Sequence, residues 1–304
     1  MSSAIRAENL VKGFRKVTAL NGVNLDVPEG AIYALVGPNG AGKTTAIKVL
    51  MNIFPATSGR AEVLGADSTR LRGAAFTSIG YVSENQELPG WMSLRRLLAF
   101  LRPFYPTWDV ALERELIRQL DLPLDRKLSK LSRGMRMKAA MLSSLTYHPK
   151  LIVLDEPFGG LDPLVRDQLI EGLVERAPEA TIFVSSHDLA EIENLASHIG
   201  YLEEGYLRFS EERAALLERF REVELTLDAL PLLDRRWPES WMHVAASEHV
   251  LRFIESRFES ERTRGEIREF FGEVRDVTFR PMTLRAIFVA MARAGRPAPG
   301  GSGV

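Results

Sequence analysis

The sequence contains no cysteine. That excludes disulfides, thiolate metal sites and cysteine nucleophiles, and it fits a reducing compartment. It has no apolar run of the length a membrane-spanning helix needs. Its first ten residues carry Arg6 and Glu8 and lack the apolar stretch of a secretory signal. From these absences the chain itself is expected to be soluble and cytoplasmic, though free to dock onto a membrane protein. A surplus of either charge is also missing: 39 Lys and Arg stand against 40 Asp and Glu, a net charge of -1. Proteins held to nucleic acid by phosphate contacts usually show a basic excess, so no nucleic-acid partner is expected. What remains is a globular composition, with 45% hydrophobic and 26% charged residues. At 304 residues it is long enough for one large domain or two smaller ones, with a substantial core.

Val23, Leu25 and Val27 alternate with Asn24 and Asp26, the period of a half-buried strand. After the turn at Pro28, Glu29 and Gly30, residues 32–36 form a short apolar run of the kind buried on both faces. A glycine-rich loop and a helical stretch at about 44–52 follow. Similar runs at 151–154 and 181–185 each lead into a polar turn and a helical pattern. Strand, loop and helix in repetition predict an α/β fold with a largely parallel core. Between about 86 and 150 the texture is helical. Leu94, Leu97, Leu98 and Leu101 fall on one helix face, with Ser93 placed to cap it and Pro103 just beyond. Leu112, Leu116 and Leu120 continue this character, so a helical insertion between two strands is expected. From 212 to 294 a small α+β appendage is expected: Val223, Leu225 and Leu227 alternate, while Leu284, Ile287, Phe288 and Met291 repeat at helical spacing. The Gly- and Pro-rich end, 295–304, is expected to be a disordered tail.

Gly37-Pro38-Asn39-Gly40-Ala41-Gly42-Lys43-Thr44 matches the phosphate-binding loop pattern in full, between a buried strand and a helix. Glycines let successive backbone N–H groups curl around phosphate oxygens, and the following helix presents its positive end. Lys43 adds a full charge on the β- and γ-phosphates, and the Thr44 hydroxyl can ligate Mg²⁺. A second apolar run, 151–154, ends in Asp155 and Glu156. Ligands sit at such strand ends in parallel sheets. Asp155 can hold Mg²⁺, and Glu156 can orient or deprotonate an attacking water.

These residues resemble the nucleotide-binding cassette of ABC transporter ATPases, over about 4–210. Leu131-Ser132-Arg133-Gly134-Met135 resembles the family signature LSGGQ, with Arg133 in place of a glycine and Met135 in place of the glutamine. The run 151–156 resembles Walker B. Gly160-Leu161-Asp162 resembles the D-loop, with Gly160 where serine is usual. Ser185-Ser186-His187-Asp188 resembles the switch region, His187 standing at the γ-phosphate sensor. Phe14 stands where an aromatic stacks on adenine, although as a strand aromatic it would equally cover the sheet. After Tyr81-Val82-Ser83 the family expects the Q-loop glutamine. Here Glu84 holds that place and Gln86 follows two residues later, so either Glu84 fills the Mg²⁺ role or Gln86 serves.

The resemblance implies a P-loop NTPase cassette over 1–211, with a RecA-like parallel core, an antiparallel β subdomain and a helical subdomain at about 86–150. The nucleotide site it implies comprises Phe14, Gly37, residues 39–45 (Thr45 included), and Ser132, Gly134 and Asp162 on the signature side. It places Mg²⁺ on Thr44, Asp155 and Glu84, and catalysis on Lys43, Glu156 and His187. It further implies ATP hydrolysis, a head-to-tail pair of cassettes (homodimer or heterodimer) and a separate transmembrane permease. That permease would be contacted by the helical segment, where Trp91, Met92 and Phe104 are candidates beside a plain packing role. The location implied is peripheral, on the cytoplasmic membrane face. The form of the signature and the appendage resemble bacterial ABC-2 type exporter ATPases. The competing expectations are a cytosolic ABC ATPase acting on nucleoprotein and a nucleotide sensor.

Overall fold

A computed structural model describes residues 2–84, 86–176, 178–228 and 236–294. The segment 295–304, expected as a disordered tail, lies outside the described residues. The chain divides into two units, Met1–Glu211 and Glu212–Val304.

In chain order the first unit runs β1 (Ser3–Phe14), β2 (Val17–Pro28), β3 (Ile32–Val36), α1 (Lys43–Leu50), β4 (Ser58–Val63), β5 (Ala66–Asp67) and β6 (Ile79–Ser83). It continues with α2 (Leu94–Leu101), α3 (Val110–Gln119), α4 (Arg133–Leu145), β7 (Leu151–Asp155), α5 (Pro163–Arg176), β8 (Thr181–Ser186), β9 (His198–Glu203) and β10 (Tyr206–Glu212). An antiparallel sheet has the order β2-β1-β4-β5. In β2, Val23, Leu25 and Val27 are buried while Asn24 and Asp26 are exposed, as the alternation requires. A second sheet has the order β10-β9-β3-β8-β7-β6. In it β3 pairs in parallel with β8 and β9, and β7 with β6 and β8. Every residue of β7 and β8 is buried, which is why their sequences are unbroken apolar runs rather than alternating ones. One core joins the two sheets: Ile5 and Val63 from the first, Ile47 and Leu50 from α1, Val153 and Phe183 from the second.

The helical stretch is inserted between β6 and β7, which lie side by side. Ser93 caps α2 by accepting the Arg96 N–H, and Leu94, Leu97 and Leu98 are buried. Pro103 does not end the turn at once but sits in a 3₁₀ turn, Arg102–Phe104. The Asp109 carboxylate caps α3, accepting from the Ala111 and Leu112 N–H groups. One sequence expectation differs. The helical pattern after β8 yields only a 3₁₀ turn, Leu189–Glu191. Just eleven residues, 187–197, separate β8 from β9. The Asp188 carboxylate takes the Ala190 N–H and so stabilises a tight turn there instead of a regular helix.

The second unit comprises α6 (Arg213–Arg219), β11 (Arg221–Thr226), β12 (Trp241–Ser247), β13 (Val250–Glu255), α7 (Ser260–Phe271), β14 (Asp276–Pro281) and α8 (Leu284–Ala294). Its antiparallel sheet has the order β12-β13-β11-β14. Val223, Leu225 and Leu227 are buried in a core of its own with Trp241, Leu251, Phe253 and Ile267. Among the described residues no helix is long and apolar enough to cross a membrane.

Candidate active site

Three neighbouring strands, β3, β8 and β7, deliver the site from their C-terminal ends. β3 runs into the loop 37–44, β7 ends at Asp155 and Glu156, and β8 ends at Ser186 and His187. This is where parallel sheets present ligand-binding groups. The loop needs its glycines for space as well as conformation. A Cβ on Gly37 would collide with the Leu202 carbonyl oxygen, and one on Gly42 with the Ala19 carbonyl oxygen. Gly42 also has φ 110°, a value that L side chains rarely adopt. Residues 39–45, with Ala19, Glu84 and Glu156, line a cavity of about 200 Å³ at the start of α1.

Behind this cavity the charged groups form one network. The Lys43 ammonium, almost fully buried, donates to the carbonyls of Gly37 (2.7 Å) and Pro38 (3.2 Å) and lies 3.1 Å from Glu156 Oε1. The other oxygen of Glu156 is 2.7 Å from His187 Nδ1. One carboxylate is thus held between an ammonium and an imidazole. That contact raises the His187 pKa, since a hydrogen bond to Glu156 favours the charged ring. Thr44 Oγ1 donates to Asp155 Oδ1 at 2.9 Å, and Ser185 Oγ donates to the same oxygen at 2.9 Å. Burial raises the Asp155 pKa, and these two hydrogen bonds oppose the shift. A cation beside Asp155 would favour its ionised form. Thr44 and Asp155 offer only hard oxygen donors, the kind Mg²⁺ takes while its other positions go to phosphate oxygens and water. The arrangement can hold phosphates, a divalent cation and a polarised water within one strand-end cluster.

The ABC transporter family model matches residues 20–159. The chain is 34% identical over 213 residues to the bacitracin transport ATP-binding protein BcrA of Enterococcus faecalis, covering 68% of each chain. It is also 34% identical over 213 residues to the lantibiotic transport ATP-binding protein SrtF of Streptococcus pyogenes, covering 68% of this chain and 90% of that protein. A solved ATP-binding subunit of an ABC transporter superposes with a TM-score of 0.65 at 26% identity, over 71% of this chain and 92% of that one. The chain belongs to the ABC transporter family.

Within this ABC cassette, the structure divides the residues singled out from the sequence into two groups. Lys43, Thr44, Asp155, Glu156 and His187 are brought together, with Asn39, Gly40, Ala41, Gly42 and Thr45 around the cavity. Ser132, Gly134 and Asp162 do not line it. Ser132 caps α4, its hydroxyl accepting the Met135 N–H at 3.2 Å. Gly134 lies against Val165, whose Cγ1 would be 3.3 Å from any added Cβ. Asp162 accepts the Leu164 N–H at the start of α5. Phe14 does not line the cavity either. It is partly exposed at the end of β1, edge-on to Phe54, with Lys12 Nζ over its ring. Of the two Q-loop alternatives, Glu84 lines the cavity, whereas Gln86 turns back to accept the Ser83 N–H at 3.3 Å.

Two contributors had no role assigned to them from the sequence. Ser185, fully buried, donates to Asp155 and accepts the Glu156 N–H at 3.0 Å, fixing the two acids relative to each other. The register explains it, because Asp155 pairs with Ser185 across β7 and β8. The available signal was a pair of serines closing an otherwise apolar strand. Ala19 contributes to the cavity wall from β2 and leaves no comparable signal.

Proposed function

We propose that this chain is the ATP-hydrolysing subunit of an ABC transporter and drives a separate membrane permease. The convergence of Lys43, Thr44, Asp155, Glu156 and His187 at the strand ends beside the phosphate loop carries this reading. ATP is the substrate. The loop N–H groups and Lys43 hold its β- and γ-phosphates and offset the charge of the transferring group. Glu156 orients and deprotonates the attacking water, and His187 holds the γ-phosphate. Thr44, Asp155 and Glu84 are the residues that would hold Mg²⁺, which would supply positive charge to offset that of the phosphates. The oxygen donor set and the glycine cradle support that assignment.

The chain carries one phosphate loop and one signature, and these do not meet in one cavity. A two-fold pair of cassettes supplies both halves of each site. Ser132, Gly134 and Asp162 then face the partner's nucleotide, and Phe14 takes the adenine. ATP closes the pair and hydrolysis opens it. The permease docks on the helical segment, where Trp91 and Phe104 are exposed and Met92 half-buried. The chain is thus peripheral on the cytoplasmic face of the membrane. Kinship with bacitracin- and lantibiotic-transport proteins, together with the form of the signature, supports export. The boundaries proposed for these functions are 1–211 for the cassette and 212–294 for an accessory domain that assists pairing.

The test uses Glu156→Gln, which is expected to keep ATP binding while hydrolysis falls about 10²- to 10⁴-fold. The tagged variant is recovered with ATP from detergent-solubilised native membranes, and its companions are identified by mass spectrometry. A multi-spanning protein in stoichiometric amount is expected. Recovery only from the soluble fraction, with ribosomal or nucleic-acid partners, would replace this reading with the nucleoprotein one.

A further inference from the structure

Three of the four positions that depart from the family pattern are Glu84 for glutamine, Arg133 for glycine and Gly160 for serine. They are far apart in sequence, yet all three meet at one guanidinium. Arg133, the first residue of α4, donates from Nη2 to Glu84 Oε1 at 3.2 Å. Its Nη1 would be 3.1 Å from a Cβ built on Gly160, so a larger residue there would push the guanidinium aside. Gly160 has φ 66°, which suits glycine in any case. Glu84 faces two ways. It lines the 200 Å³ cavity of the phosphate loop, and it also lines a groove of about 530 Å³ shared with Arg133 and Arg136.

Accepting the ATPase reading above, we infer that Arg133 is a positioning residue for Glu84, holding its carboxylate on the signature-helix side of the phosphate cavity that Glu84 lines. The ion pair is about half exposed on both sides, 48% and 42%. Such pairs contribute little to stability. That weakness is what lets a stronger cation displace one. A divalent cation carried in on ATP beside Thr44 and Asp155 competes with Arg133 for this single carboxylate. Its arrival shifts Glu84 toward the phosphates and releases the signature arginine, so occupancy of one segment sets the freedom of the other. A ligand shifts such a balance only through its preference for one state, and here the divalent charge supplies that preference.

The experiment measures equilibrium binding of a fluorescent ATP analogue to the full chain, in a Glu156→Gln background that prevents turnover. The readout is the ratio of Kd without Mg²⁺ to Kd with saturating Mg²⁺. Arg133→Gly is expected to raise this ratio about two- to five-fold, the span of a half-exposed ion pair. Arg133→Lys keeps the charge and is expected to stay near the parent value. Glu84→Gln is expected to lower the ratio and to make Arg133→Gly silent on top of it. An unchanged ratio in Arg133→Gly, or the same rise with and without Glu84, would overturn the inference while leaving the ATPase reading intact. A parent chain that binds no nucleotide at all would overturn the ATPase reading, and this inference with it.

Discussion

Glu156 has the most constrained backbone among the charged groups of the site. Its φ of 49° lies in the left-handed region, which costs a non-glycine residue about 1–3 kcal/mol. The carboxylate this strain presents is gripped from both sides, by Lys43 at 3.1 Å and His187 at 2.7 Å. The His187 contact has a pH signature. The ring's pKa lies above its ordinary 6.5, chiefly through the hydrogen bond to Glu156; Glu191 adds to the shift, and Lys43 and partial burial oppose it. A group raised on folding contributes stability that is fully present below its unfolded value and lost as pH rises through its folded value. The difference in Tm between the wild type and His187→Gln is therefore expected to be greatest below 6.5 and to narrow above it. A difference that stays flat or widens from about pH 5.5 to 8.5 would remove the charged pair from the account. Gly42 gives a second test at this scale. Its Cβ would meet the Ala19 carbonyl, and its φ is 110°. Gly42→Ala is expected to cost about 1–3 kcal/mol of stability and to abolish ATP binding, read by urea unfolding and by nucleotide titration.

Elements differ in how plainly the sequence announces them. β3, β7 and β8 are legible because burial on both faces leaves an unbroken apolar run. β1 and β4 are not, because an exposed face fills them with charge. Arg60 on β4 meets Glu8 on β1 at 2.6 Å, and β4 buries only Ala61 and Val63. The phosphate loop is legible because its chemistry is local, eight consecutive residues with fixed roles. Contacts that join distant segments are illegible for the opposite reason: Ser185 on Asp155, or Arg133 on Glu84, depends on register and helix placement. The helical insertion shows how local patterning can fix an element without touching the chemistry. Leu98 on α2 is 2% exposed, and none of α2 lines the phosphate cavity. Leu98→Ala is expected to cost about 2–5 kcal/mol while the ATP affinity of the folded protein stays within error. A loss of ATP affinity matching the loss of stability would mean that the insertion and the phosphate loop fold as one cooperative element.

At the scale of the whole molecule, each unit has a core of its own, and this allows each to respond separately. The first core runs from Ile5 through Ile47 to Phe183, and the second gathers Trp241, Leu251 and Phe253 around β11. Nucleotide binds the folded first unit, so by mass action ATP at 100 times its Kd stabilises that unit by about 2.7 kcal/mol. The four tryptophans make the comparison direct, because Trp91 and Trp108 lie in the first unit and Trp237 and Trp241 in the second. Trp237 and Trp241 stack with ring centroids 6.0 Å apart, and Trp241 stacks on Phe253 at 3.9 Å, so their emission reports the second core. In a Glu156→Gln chain with Trp91 and Trp108 replaced by phenylalanine, thermal unfolding is followed by tryptophan emission and by far-ultraviolet circular dichroism. At protein concentrations too low for pairing, ATP is expected to raise the main dichroism transition and leave the emission transition where it was. If both move together, the accessory unit is held by the cassette and its core is insufficient alone. If the emission transition moves only as protein concentration rises, the link runs through pairing of two chains, as expected of an accessory unit that assists dimer closure.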